Sequence, residues 1–421
     1  MKKLYITLFF TIIVCVKISA QTGNTLFVKE ATTENRVKLY HNLVNNSINK
    51  NLSLPLTDST EENWQDAFLA LELINHRSAW IDGRISLAFD SIEKRSIVFQ
   101  RAFLELIYTN YPDAYIPQIV SFIKHTGNTK LFAMCAEYLF MNNRKQEYRD
   151  LIIKRMTTII SSFTDDTVDP FFTVLIDKLL LKKPVRPSIS ELFKKSFLHN
   201  ETVVYSFQRK NRNYPGLALI RSKNGELIKD ANGDYFAVPQ LARSISNMPG
   251  YLTNGNTPQG IFKITGFGIS KSSFIGPTPN IQLAMPFEKS TEVADSTIQS
   301  LSNNYTSMLP VSWQNYFPVY ESYYAGKAGR TEIIAHGTAV DPEYYKDQPY
   351  YPYTPTQGCL CTKELWQGTD GKRFESDQQK LADALQVAGG ATGYCIVIEI
   401  DDQQKPVSII DILSYLKFEN K

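Results

Sequence analysis

The chain has 421 residues, 43% of them hydrophobic and 21% charged, with a formal net charge of +3. That length accommodates roughly one to three domains, each able to bury a core. So small a charge, with no Lys/Arg stripe to neutralise a run of phosphates, excludes a dedicated nucleic-acid binder.

Lys2 and Lys3 open the chain, residues 4–16 are apolar, and Ile18-Ser19-Ala20 precedes Gln21. This layout predicts a secretory signal peptide over residues 1–20. The alternatives are a short membrane anchor, against which the run falls well below spanning length, and a lipid-modified Cys15. Beyond residue 20 the cysteines are Cys135, Cys359, Cys361 and Cys395, too few for a disulfide-built scaffold.

Residues 21–200 read as an α-helical domain. Ala67, Phe68, Leu71 and Ile74 recur at helical spacing, as do Phe99, Phe103, Leu104 and Ile107. Asp113 and Pro117 open a further apolar segment that His125, Gly127 and Asn128 close. Helical patterns continue over 147–161, 171–181 and 189–197. Paired short helices of this kind predict an irregular, solenoid-like stack without a fixed repeat. Its histidines, His41, His76, His125 and His199, lack metal-ligand spacing and read as surface or cap residues, and Cys135 reads as a buried inert thiol.

Near residue 200, after a boundary region at Pro184 and Pro187, the pattern becomes mainly β. Short β-prone runs occupy 202–207, 216–220, 235–238, 260–265, 281–285, 332–335 and 394–400, with turns at 222–225 and 231–233. One helix is predicted in this half, over 376–387. The fold class that follows is an α+β multidomain chain. An all-α domain over 21–200 precedes a mainly-β domain over 201–405, and residues 406–421 form a C-terminal extension.

Three segments of the β half carry chemistry: Asn256-Thr257-Pro258-Gln259-Gly260-Ile261-Phe262, Ile334-Ala335-His336-Gly337-Thr338, and Thr356-Gln357-Gly358-Cys359-Leu360-Cys361. A thiol with an ordinary pKa of about 8.5 is mostly protonated at neutral pH and needs a base to become a nucleophile. His336 is the sole histidine of residues 201–405, which makes it the one imidazole that domain offers Cys359. Gly358 suits a tight turn that exposes the sulfur and lets backbone N–H groups approach an oxyanion, and Gly337 leaves space beside the ring.

In order and spacing these segments resemble the YkuD-type L,D-transpeptidase catalytic domain, over about residues 200–405. The resemblance implies a secreted cysteine acyltransferase of the periplasm or cell envelope, exported across the inner membrane, whose partner is a peptidoglycan stem peptide. Cys359 is then the nucleophile, forming a thioester that an amine (transpeptidase) or water (carboxypeptidase) resolves, and His336 is the base. Gly358 and Gly337 shape the catalytic turn. Thr356, Gln357, Thr338 and Tyr353 are the implied substrate contacts, and no metal or organic cofactor is needed.

Two positions depart from the family pattern. Gln357 stands where a second histidine is common, and Cys361 where Arg or Asn is common. These departures keep open a second reading, a catalytically weakened domain that binds peptidoglycan or acts as a scaffold, with the helical half docking a protein partner. A different cysteine peptidase or amidase is a third reading, against which the His-before-Cys order counts. A Cys361–Cys395 disulfide is left open. The tyrosines of 341–355 either line a substrate groove or pack among themselves, and the aromatic insert 290–329 is a candidate lid.

Overall fold

The computed structural model describes residues 26–141, 146–163, 168–180, 184–289 and 294–416. The predicted signal peptide lies outside the described residues, as does Cys15. Among the described residues no helix is long and apolar enough to cross a membrane.

The first half is helical. Thr33–Asn42, Glu61–Ile74, Ala79–Asp90, Ile97–Asn110, Ile116–His125, Thr129–Met141, Gln146–Ile160 and Pro170–Leu179 are its longer α-helices. Their starts follow local chemistry: the side chains of Thr32, Ser78, Ser96 and Asp169 each cap a free N–H of the first turn. Their apolar faces meet in one core that includes Trp64, Phe68, Phe99, Phe103, Phe132 and Cys135.

The second half is mostly β. Among the described residues ten strands occur in chain order: β1 Val203–Arg209, β2 Gly216–Arg221, β3 Val238–Gln240, β4 Gly260–Gly268, β5 Asn280–Ala284, β6 Ile334–His336, β7 Leu360–Cys361, β8 Glu364–Trp366, β9 Arg373–Ser376 and β10 Gly393–Asp401. Eight of them form one sheet in the order β3-β2-β1-β10-β4-β5-β6-β7, while β8 and β9 pair as a hairpin. Beyond the end of β3, Leu241 and Cys361 exchange two backbone hydrogen bonds of 2.7 and 2.8 Å. The sheet is thereby nearly closed.

Strands β1 and β2 are buried along their whole length, because both faces are covered. Val203, Tyr205 and Phe207 point to one side, against Leu192, Leu301 and Trp313. Val204, Ala218 and Phe262 point to the other, against Leu381 and Leu385. The second pair lies on the helix Asp377–Ala388, which Ser376 caps, as the sequence predicts to within a residue.

Three segments pack differently from their apparent place in the sequence. Ile189, Leu192, Phe193 and Phe197 belong to the core under β1, not to the helical core. Val407 and Ile412, the latter on the helix Ile409–Leu416, close the same core, and Arg209 ties that helix to β10 through Asp411 and Asp401, each at 2.7 Å. The insert after β5 holds the helices Asp295–Met308 and Glu321–Lys327. Its Tyr305 and Trp313 are fully buried, and the Tyr305 hydroxyl donates to the Val319 carbonyl at 2.6 Å and accepts from the Ile261 amide. Expected as a lid, the described part of this insert is instead a layer of the core, since its rings bury apolar area that a mobile cover would expose.

Candidate active site

Cys359 stands immediately before β7, which runs parallel to β6 with Ala335 opposite Leu360 and His336 opposite Cys361. Cross-strand partners share a face, so this register sets His336 beside Cys361, and Cys359, one residue before the strand, lies at the Ile334 amide two residues ahead of His336. Among the described residues no hydrogen bond joins the two side chains: the ring meets the Gly337 carbonyl and the thiol the Glu332 carbonyl.

The nucleophile turn is closed by its own hydroxyls. The Thr356 side chain accepts from the Gly358 amide and donates to the Cys359 carbonyl, both at 3.0 Å. From the first motif, buried Thr257 donates to the Gly358 carbonyl at 2.9 Å. Gly358 has φ +115°, a conformation side chains resist. A Cβ there would overlap the Arg330 guanidinium and lie 2.5 Å from the Gly255 carbonyl oxygen.

The His336 turn is held more tightly. Thr362 donates from its amide to the His336 carbonyl at 3.0 Å. Fully buried Gln378 donates to the Ala335 and Pro279 carbonyls, each at 3.0 Å. The Trp366 indole donates to the Thr338 carbonyl at 2.8 Å, and Thr354 donates to the Thr338 hydroxyl at 2.9 Å. A Cβ on Gly337 would overlap the Glu364 carboxyl. That carboxyl accepts from Thr278 and Ser376 through Oε1, and the Thr338 amide faces it as well. Burial pushes Glu364 up, with the two hydroxyls pulling the other way.

His336 Nδ1 lies 2.5 Å from the Gly337 carbonyl oxygen. A carbonyl only accepts, so Nδ1 carries the proton and Nε2 keeps its lone pair. Burial pulls His336 down to about 4, opposed by that carbonyl. Burial likewise pushes the Cys359 thiol up to about 11, against the Ile334 amide and the Arg330 charge, with the Glu332 and Glu288 carboxylates adding to the rise. Thiol and imidazole are therefore both neutral at pH 7. At rest the thiol donates to the Glu332 carbonyl at 3.6 Å. Glu332 has φ +62° and is held by its amide, which donates to buried Glu288 at 2.8 Å. An arrangement of this kind suits a general base that takes the proton during attack rather than a preformed thiolate–imidazolium pair.

The structure brings Thr356, Gln357, Gly358 and Cys359 into one turn, and His336, Gly337 and Thr338 into the adjoining one. Gln357 leaves its carbonyl oxygen buried without a hydrogen-bond partner. Thr338 is buried and occupied structurally by Thr354 and the Val340 amide, which it accepts from. Tyr353 is half-buried and Tyr351 exposed, whereas Tyr345 and Tyr350 are buried. The Tyr345 hydroxyl donates to the Leu73 carbonyl at 2.8 Å, so much of that loop's aromatic content fastens it to the helical half. Cys361 and Cys395 are free thiols, both buried. Among the described residues no cluster of three His, Cys, Asp or Glu side chains is placed to hold a metal.

Arg330, Glu364, Trp366 and Gln378 escape sequence reasoning. Arg330 follows a Gly and precedes a short strand, and nothing in its spacing sets it apart from other arginines. Comparison of the chain with protein-family models, with curated proteins and with solved structures finds no match.

Proposed function

We propose that the protein is a cysteine acyltransferase of the L,D-transpeptidase kind, acting on peptidoglycan stem peptides outside the inner membrane. What supports this reading is the parallel pairing of β6 with β7, which brings the Cys359 turn beside the His336 strand, together with the Nδ1–Gly337 contact, which leaves Nε2 of the ring unprotonated. Attack forms an S–C bond at the substrate carbonyl as the thiol proton passes to Nε2. Collapse breaks the C–N bond, and the imidazolium returns that proton to the leaving amine. The thioester is then opened by the amine of a second stem or by water, with His336 again accepting the proton, and the Cys359 thiol is regenerated. The Gly358 amide is taken by Thr356, so the Cys359 amide is the group of that turn proposed as donor to a developing oxyanion.

The test is mass spectrometry after exposure to a carbapenem and to purified muropeptides. The expected result is a single covalent adduct on Cys359, absent from Cys359→Ala, together with Cys359-dependent release or exchange of a terminal residue. An adduct that survives Cys359→Ala overturns the assignment. One observation favours a second reading, a binding domain without turnover: the resting thiol engages Glu332, not the imidazole. Co-sedimentation with sacculi and no chemistry at Cys359 would decide for it.

A further inference from the structure

A loop of the β half links the helical core to the candidate site. Met248, Tyr251 and Leu252 lie in the β half by sequence, yet their side chains belong to the helical core. The Tyr251 hydroxyl donates to Glu137 at 2.7 Å, and Glu137 also takes Lys178 at 2.5 Å. Three residues on, the Asn254 amide donates to Glu105 of the helix Ile97–Asn110 at 3.1 Å. Glu105 is buried and pairs with Arg101 at 2.7 Å. Asn254 has φ +58°, so its backbone leaves the favoured region to present that amide.

The same loop turns its carbonyls the other way, onto Arg330. Arg330 is 5% exposed and donates to Gly250, to Gly255 at 2.7 Å and to Asn256 at 2.9 Å. Its Nη2 lies against Gly358, as the overlap with a Cβ there shows. The hydrogen bonds of this buried guanidinium go to neutral carbonyls, and with Glu321 as the larger opposing charge facing it, its field also reaches Cys359 beyond Gly358.

We infer that the helical half is a positioning element for the nucleophile: Asn254, anchored on Glu105, and Tyr251, anchored on Glu137, hold the carbonyl cradle that aims the Arg330 charge at Cys359. The inference rests on Cys359 being the nucleophile. The charged and titratable groups facing Cys359 are Arg330, Glu332, Glu288 and Cys361, with His336 on the adjoining strand. Those facing Arg330 are Glu321, Glu105 and Cys359 itself. Glu105 faces Arg101 and Glu72 besides. Among the described residues Arg330 is the one cation in the set around the thiol, so, beside burial and the Ile334 amide, its placement tunes how readily the proton leaves.

The experiment measures iodoacetamide alkylation of the full chain against pH, read at the Cys359 peptide by mass spectrometry. Asn254→Gly removes the amide while keeping the backbone conformation accessible. It is expected to raise the Cys359 midpoint by about one pH unit, or about tenfold slower alkylation at neutral pH. Tyr251→Phe loosens the same loop from its other anchor and moves the midpoint in the same direction. Arg330→Gln raises it at least as far, and adding Asn254→Gly to Arg330→Gln produces no further shift. Tyr345→Phe, which cuts a contact between the halves away from the cradle, leaves the profile unchanged. A wild-type profile in both Asn254→Gly and Tyr251→Phe, or additive shifts in the double variant, overturns the inference while the Cys359 assignment stands. Loss of that assignment shows separately, as a wild-type protein that forms no carbapenem adduct at Cys359.

Discussion

Gly358→Ala is the sharpest probe of the nucleophile turn, because two costs meet at one atom. The first is conformational: φ +115° lies where a side chain is strained by about 1–3 kcal/mol. The second is steric, since the new methyl overlaps Arg330 and sits 2.5 Å from the Gly255 carbonyl oxygen. Arg330 cannot swing aside, with three loop carbonyls holding it; overpacking of this sort costs about 1–3 kcal/mol. The sum is about 4 kcal/mol, which for a domain of this size lowers Tm by about 8–16 °C. Thermal or urea denaturation measures it, and the carbapenem adduct at Cys359 forms more slowly in parallel. Combining Gly358→Ala with Arg330→Ala isolates the steric part. The double variant should lose less than the two single losses added together, because the methyl then occupies vacated space. Wild-type stability in Gly358→Ala, or strictly additive losses in the pair, would refute the reasoning.

Two further predictions follow from buried titratable groups. His336 has a folded pKa of about 4 against an ordinary 6.5, so between those values the unfolded chain binds the extra proton. Its contribution to stability is complete above about pH 6.5 and is lost as pH falls toward 4, about 3 kcal/mol in all. Urea denaturation at pH 7 and pH 4.5 should show the loss, and His336→Gln should lack that component; carbapenem acylation of the wild type should hold steady across neutral pH and fall only toward pH 4. Glu364→Ala leaves the Thr278 and Ser376 hydroxyls without their acceptor and is expected to cost about 2–4 kcal/mol. Glu364→Gln keeps a carbonyl oxygen there and should cost less than half as much, with adduct formation at Cys359 following the same order.

What the sequence determined by itself is what short-range pattern encodes. The helical first half, seven of the ten strands among the described residues, with β3 displaced by a few residues, and the capped helix Asp377–Ala388 all follow from periodicity of side-chain polarity, a property of neighbours in the chain. The candidate pair was legible for a related reason: Gly358-Cys359 and His336-Gly337 need their glycines at fixed offsets, and a single histidine in the domain leaves one partner. The short β7, β8 and β9 were not legible, since strands of two to four residues carry too few alternations to register.

Tertiary structure alone decided the rest. That Tyr305 and Trp313 build core, that Val407 and Ile412 close it, and that Tyr251 crosses into the helical core depend on which surfaces meet, and no local pattern specifies that. The electrostatics of the site belong to the same class. A thiol near 11 and an imidazole near 4 arise from burial by distant segments, and Arg330 bears on Cys359 only because a loop gripped by the helical half folds its carbonyls around it. Desolvation and charge act through space, so the chemistry of this Cys–His pair is set by groups far from it in the chain.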